Sequence, residues 1–127
     1  MVQGIEHTAI ASPDPARLAK WYVDHLNFTI NYKSANSSTH FVKAPDGSMI
    51  EIIESKGDAM RPPAMRDAGI RHLAMLVNDF DAAYARLKEL GVTFLSDAQT
   101  VSGNSTVFFA DGDGNILHLL HRQQPLG

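Results

Sequence analysis

The chain has 127 residues, 44% of them hydrophobic and 20% charged, with a net charge of −3 and no cysteine. This is the composition of an ordinary soluble globular protein of single-domain length, and it excludes disulfide scaffolds, thiolate catalysis and Cys-type zinc sites. With no long basic run, no apolar stretch near the ~20 residues that span a bilayer and no basic-then-apolar leader, the expectation is no nucleic-acid partner, no membrane partner and a cytoplasmic location.

The first segment alternates as a strand, with Ile5, His7, Ala9 and Ala11 on one face and Glu6, Thr8 and Ile10 on the other. Ser12-Pro13-Asp14-Pro15 then announces a helix, with Asp14 as N-cap and Pro15 at the first helical position. Leu18, Trp21, Tyr22 and Leu26 recur at helical spacing and form its apolar stripe. Phe28 to Tyr32 reads as a second strand, and Lys33 to Ser38 as a polar loop. Thr39 to Lys43 and Met49 to Ile53 flank Pro45-Asp46-Gly47-Ser48, a strong hairpin signal. A stretch from Ser55 to Ala68, holding Pro62-Pro63 and no periodic pattern, reads as a linker. Beyond it, Ile70 to Val77 is expected as a strand, and Asp79 caps a helix with Phe80, Ala83, Leu87 and Leu90 on its apolar side and Gly91 at its end. Val92 to Leu95 would be the next strand, followed by a loop from Ser96 to Ser105, a strand from Thr106 to Ala110, the turn Asp111-Gly112-Asp113-Gly114, and a last strand from Ile116 to His121.

The order of elements repeats, and so do residues within it. Gly4-Ile5-Glu6-His7 returns as Gly69-Ile70-Arg71-His72, and the stretch from Ala44 through Glu51 to Ile52 returns as Asp111 through His118 to Leu119. The fold class expected is α+β: tandem β-α-β-β-β modules at 1–54 and 69–123, joined by 55–68 within a single domain of 1–127. The repeated positions hold His7, Glu51, His72 and His118, all of them metal-ligand types. Alanines at 9, 11 and 74 share the histidine faces and leave them under-filled. A lone strand histidine is commonly a hydrogen-bonded core or rim residue, and Glu51 between isoleucines can guard an edge strand. Four such residues at matched places favour a metal site, because a carboxylate flanked by Ile50 and Ile52 is costly to bury unpaired.

His40 is a fifth candidate: a two- or four-residue loop centred on Asp46-Gly47 pairs Val42 with Glu51 and His40 with Ile53, setting His40 on the face of Glu51. A solvated histidine is the alternative. His25, near a helix C-terminus, needs no chemistry. Glu54 and His121 fall at equivalent strand ends on the other face. Asp46, Gly47, Asp113 and Gly114 are turn residues, and neither stretch is a calcium loop.

These motifs resemble the vicinal oxygen chelate superfamily, which includes glyoxalase I, extradiol dioxygenases, methylmalonyl-CoA epimerase and the fosfomycin- and bleomycin-resistance proteins. The resemblance runs through His7, Trp21-Tyr22 with Leu26-Asn27-Phe28, Pro45-Asp46-Gly47 with Glu51, His72, and Asp111 to Asn115 with His118. It implies paired modules forming an open, cup-shaped mixed sheet, a divalent metal (Zn, Ni, Fe, Mn or Co) and a small-molecule substrate. By position the implied ligands are His7, Glu51, His72 and His118. The last place is normally a glutamate in glyoxalase I-like members, where the glutamates also move protons, so only Glu51 remains here as the base. The extradiol set of two histidines and a carboxylate would be His7, His72 and Glu51, with His118 a fourth ligand or an acid–base group. The function implied is a metal-dependent lyase or isomerase that chelates its substrate through adjacent oxygens. The alternatives are an Fe(II)-dependent extradiol-type dioxygenase and a non-catalytic drug-sequestration protein of the bleomycin-resistance type. No glutathione-carboxylate clamp is identifiable. A homodimer is expected, since two open sheets leave edges that one chain does not cover.

Overall fold

Capping and turn chemistry set the boundaries of the elements in the computed structural model, which describes residues 1–57 and 64–127. The chain divides into two compact units, Met1–Ala59 and Met60–Gly127. Part of the expected linker, with Pro62 and Pro63, lies outside the described residues.

In the first unit, β1 (His7–Ser12) leads into α1 (Pro15–Leu26), followed by β2 (Thr29–Lys33), β3 (His40–Lys43) and β4 (Met49–Glu54). The Asp14 side chain accepts from the Arg17 N–H at 3.1 Å, Pro15 opens the helix, and Asn27 ends it in the left-handed region at φ 59°. The sheet runs β1-β4-β3-β2, with β1 parallel to β4 and the other pairs antiparallel. Helix α1 packs across this sheet, and Leu18, Ala19, Tyr22, Val42 and Ile52 lose all solvent exposure. A side chain of Leu or Ile size contributes ~1.5–3 kcal/mol when so buried. Of the expected stripe, Leu18 and Tyr22 are buried and Trp21 and Leu26 only half-buried; Trp21 stacks on His25 with ring centroids 4.5 Å apart.

The second unit repeats the plan: β5 (Leu73–Leu76), α2 (Phe80–Glu89), β6 (Gln99–Val101), β7 (Asn104–Ala110) and β8 (Ile116–His121), in the order β5-β8-β7-β6. Asp79 caps α2 by accepting from the Ala82 N–H at 3.0 Å. Phe80, Leu87, Val107, Phe109, Ala110, Ile116, Leu117 and Leu119 form the buried apolar set. The chain is therefore α+β, with two helices and two four-stranded mixed sheets among its described residues. No helix among those residues is long and apolar enough to cross a membrane.

Two expectations need correction. Val92 to Leu95 forms no strand: Phe94 makes an isolated bridge to Phe109, and the longer pairing with β7 belongs to β6, inside the stretch expected as a loop. That stretch folds back tightly at Ser102-Gly103, where both residues have positive φ (53° and 79°), the two-residue turn that matches strand twist. The β3–β4 register also differs by one residue. Phe41 lies opposite Glu51, Val42 opposite Ile50 and His40 opposite Ile52. The cause is the turn. Ala44 donates to Ser48 O at 2.8 Å and Gly47 to Ala44 O at 2.9 Å, with Gly47 at φ 93°, so the loop holds an odd number of residues and closes with a left-handed glycine. The same geometry recurs where Asp111 donates to Asn115 O at 3.0 Å and Gly114 lies at φ 91°. Since side chains alternate faces, the shift moves His40 off the face of Glu51 and puts Phe41 there.

Candidate metal centre

The candidate ligands alternate with the buried core residues of their strands, Glu51 between Ile50 and Ile52 and His118 between Leu117 and Leu119, and so stand on the opposite sheet face. In the first unit His7 opens β1, an edge strand, and Glu51 lies in β4 beside it. His7 Nε2 stands 3.8 Å from Glu51 Oε1. The other ring nitrogen, Nδ1, is 2.7 Å from Glu6 Oε1. A carboxylate only accepts, so Nδ1 carries a proton, and Nε2 is the nitrogen on the Glu51 side. A carboxylate behind a histidine is the usual way a metal-ligating imidazole is held in one tautomer and orientation.

In the second unit His72 immediately precedes β5, and His118 lies in the adjoining β8 with Ala74 as its cross-strand partner. The two histidine rings lie 5.2 Å apart at 76°. His118 stacks on Phe108 at 4.1 Å and 8°. Burial lowers the pKa of His118 below the ordinary histidine value, and the charges of His72 and Arg122 push it the same way. Its neutral form, the one that binds a metal, is thereby favoured. The sign gives a prediction. An unfolded His118 takes a proton near 6.5, and the folded one resists it. The metal-free protein should therefore lose stability as pH falls below 6.5, until the folded His118 is protonated too. Urea melts of the parent and His118→Gln would read this as a pH slope weakened in the variant; equal slopes would remove His118 as its source.

A phenylalanine completes each half. Phe41 meets the His7 ring edge-on at 5.3 Å and 77°, and Phe108 meets the His72 ring at 5.2 Å and 79°. Phe41 lies opposite Glu51 and Phe108 opposite His118. The sequence reading passed over both, as it did Glu6. The signal was there, since each phenylalanine stands ten positions before its module's last ligand position. His40, by contrast, shares the register of buried Ile52, and its Nδ1 is 2.7 Å from Ser38 O. His121 Nδ1 lies 3.0 Å from Val77 O, a strand-end contact.

Within each unit, then, ligand-type side chains meet in pairs, and among the described residues no group of three or more lies within ligating reach. The donor chemistry suits a divalent ion: imidazoles and a carboxylate without thiolate, one histidine oriented from behind and another favoured in its neutral form.

The sequence model of the Glyoxalase/Bleomycin resistance protein/Dioxygenase superfamily matches residues 4–119. The chain is 34% identical over 122 residues to the uncharacterized protein YaeR of Escherichia coli K12, covering 91% of this chain and 93% of that one. Among solved structures, oxidase ChaP-H2 is similar at 26% identity with a TM-score of 0.75, covering 100% of this chain and 98% of that one. A lactoylglutathione lyase from Agrobacterium tumefaciens shares the fold at 20% identity and a TM-score of 0.69, covering 94% of each chain.

Proposed function

The chain belongs to the Glyoxalase/Bleomycin resistance protein/Dioxygenase superfamily, and from that premise we propose that it is a metal-dependent lyase or isomerase acting on a small molecule with adjacent oxygens. His7, His72 and Glu51 would hold a divalent ion, with His118 as the fourth ligand. The ion, when bound, supplies Lewis-acid polarisation of the substrate oxygens. The remaining work falls to the chain. The Glu51 carboxylate oxygen not engaged by the ion would accept a proton from the carbon beside the carbonyl and return it to the neighbouring carbon. Glu6 fixes the His7 ring, and Phe41 and Phe108 pack against the rings of His7 and His72. The observation that carries this reading is the Glu51 carboxylate beside Nε2 of His7, whose other ring nitrogen is engaged by Glu6. The other three matched positions are histidines, so proton transfer by a carboxylate rests on Glu51.

The same residues contain a two-histidine, one-carboxylate set, and one structural relative is named an oxidase; both favour an Fe(II)-dependent dioxygenase as the second reading. Anaerobic reconstitution with Fe(II), followed by a catechol and oxygen, separates the two. The lyase or isomerase reading expects no oxygen uptake, and stoichiometric uptake would overturn it.

A homodimer belongs to the same proposal. The edge strands β1 and β5 carry open faces, with Leu76 73% and Ile5 89% exposed at or beside them. Sedimentation at micromolar concentration should show a dimer, and a monomer alone would contradict it.

A further inference from the structure

The second unit contains a cleft of about 640 Å³ that none of the proposed ligands lines. Its walls include Met65, Thr93, Leu95, Ala110, Asp111 and Ile116, and the other described lining residues are Ala64, Gly112 and Gly114. Register places it. Ile116 pairs with Ala110 as His118 pairs with Phe108, and the bridge between Phe94 and Phe109 sets Thr93 beside Ala110 and Leu95 beside Phe108. By alternation, Thr93, Leu95, Ala110 and Ile116 therefore share the sheet face of His118 and turn away from α2. Ile116 is two residues along β8 from His118, a strand rise of about 7 Å.

Among the described residues the lining contains no Lys, Arg or His. Its single carboxylate, Asp111, is 6% exposed and holds the following turn. Asp111 Oδ1 accepts from the backbone N–H groups of Asp113 and Asn115, each at 2.9 Å, and Oδ2 accepts from Asn115 Nδ2 at 2.8 Å. An anionic ligand would find no counter-charge among the described lining residues and would face that carboxylate. An uncharged apolar group would cover Leu95, 43% exposed, and meet Met65 and Ile116. The volume falls within the roughly 300–1,000 Å³ of small-molecule sites.

We propose that this cleft is a specificity pocket for an uncharged alkyl or aryl substituent, so that the substrate class is a neutral compound carrying its oxygen pair next to an apolar group. The assignment of the oxygen pair rests on the metal reading above; the pocket itself does not. The test uses dyes rather than substrate. N-phenylnaphthylamine, neutral and apolar, should bind the parent saturably at one site, and the anionic anilinonaphthalene sulfonate more weakly. Leu95→Arg should weaken the neutral dye at least about fivefold, by placing a charge among apolar walls, and tighten the anionic one. Thr93→Arg, at another exposed wall position, provides the same reversal if Leu95→Arg does not melt cooperatively. Equal affinity of the two dyes in the parent, or unchanged neutral-dye binding in both variants, would overturn the pocket. Titrations in chelator and in saturating Zn(II) keep the two ideas apart. Dye discrimination without metal retention leaves the pocket standing and removes the metal reading, and metal retention without discrimination does the reverse.

Discussion

Glu51→Gln is expected to slow the metal-dependent exchange of the α-hydrogens of α-hydroxyacetophenone with solvent deuterium by about 10²–10⁴-fold, the range a positioned general base contributes. The probe presents adjacent oxygens and an uncharged aryl group, and its α-hydrogens are those a carboxylate base would remove. Glutamine keeps the side-chain length and one ligating oxygen, so metal content should stay near the parent's while exchange collapses. That combination separates loss of a base from loss of a site. Parent-like exchange in the variant, followed by proton NMR, would move the base away from Glu51. The nearest alternative is His118, whose lowered pKa leaves it neutral and able to accept a proton.

The second large effect is on metal retention. His72→Ala removes a side chain from the unit that lacks Glu51, and leaves the pair of His7 and Glu51, 3.8 Å apart, untouched. A pair of donors holds a divalent ion poorly compared with the three or four protein ligands of ordinary zinc sites. If both pairs serve one ion, this substitution in the other unit should abolish stoichiometric metal after gel filtration, as measured by elemental analysis. His72 is exposed and precedes β5, so the fold should survive and its melt serves as the control. Equal metal content in variant and parent would take His72 out of the site.

The duplication was legible because metal-type residues and turn motifs recur in order, and both helices announced themselves through Asp14-Pro15 and Asp79. The repeat itself set one candidate pair in each unit, His7 with Glu51 and His72 with His118. What failed was register. A left-handed Gly47 adds one residue to the turn, and one residue reverses every side chain beyond it, so His40 was set on the wrong face and Phe41 overlooked. Strand β6 was hidden because Ser102-Gly103 resembles loop composition when it is in fact a tight hairpin turn. The cleft could not have been read from the sequence. Met65, Leu95 and Ile116 are distant along the chain and belong to no shared motif, and only the pairing of residues 93–95 with β7 brings Leu95 onto the face of His118.

Counting metal per chain in untagged protein, purified without added metal, tests the central claim most directly. One ion shared by His7, Glu51, His72 and His118 predicts about one divalent ion per chain, removable by chelator and restored on its return. Two ions per chain would mean that each pair binds separately, and none, even after exposure to Zn, Ni, Fe, Mn and Co salts, would mean that the four residues form no metal centre; either result contradicts the account.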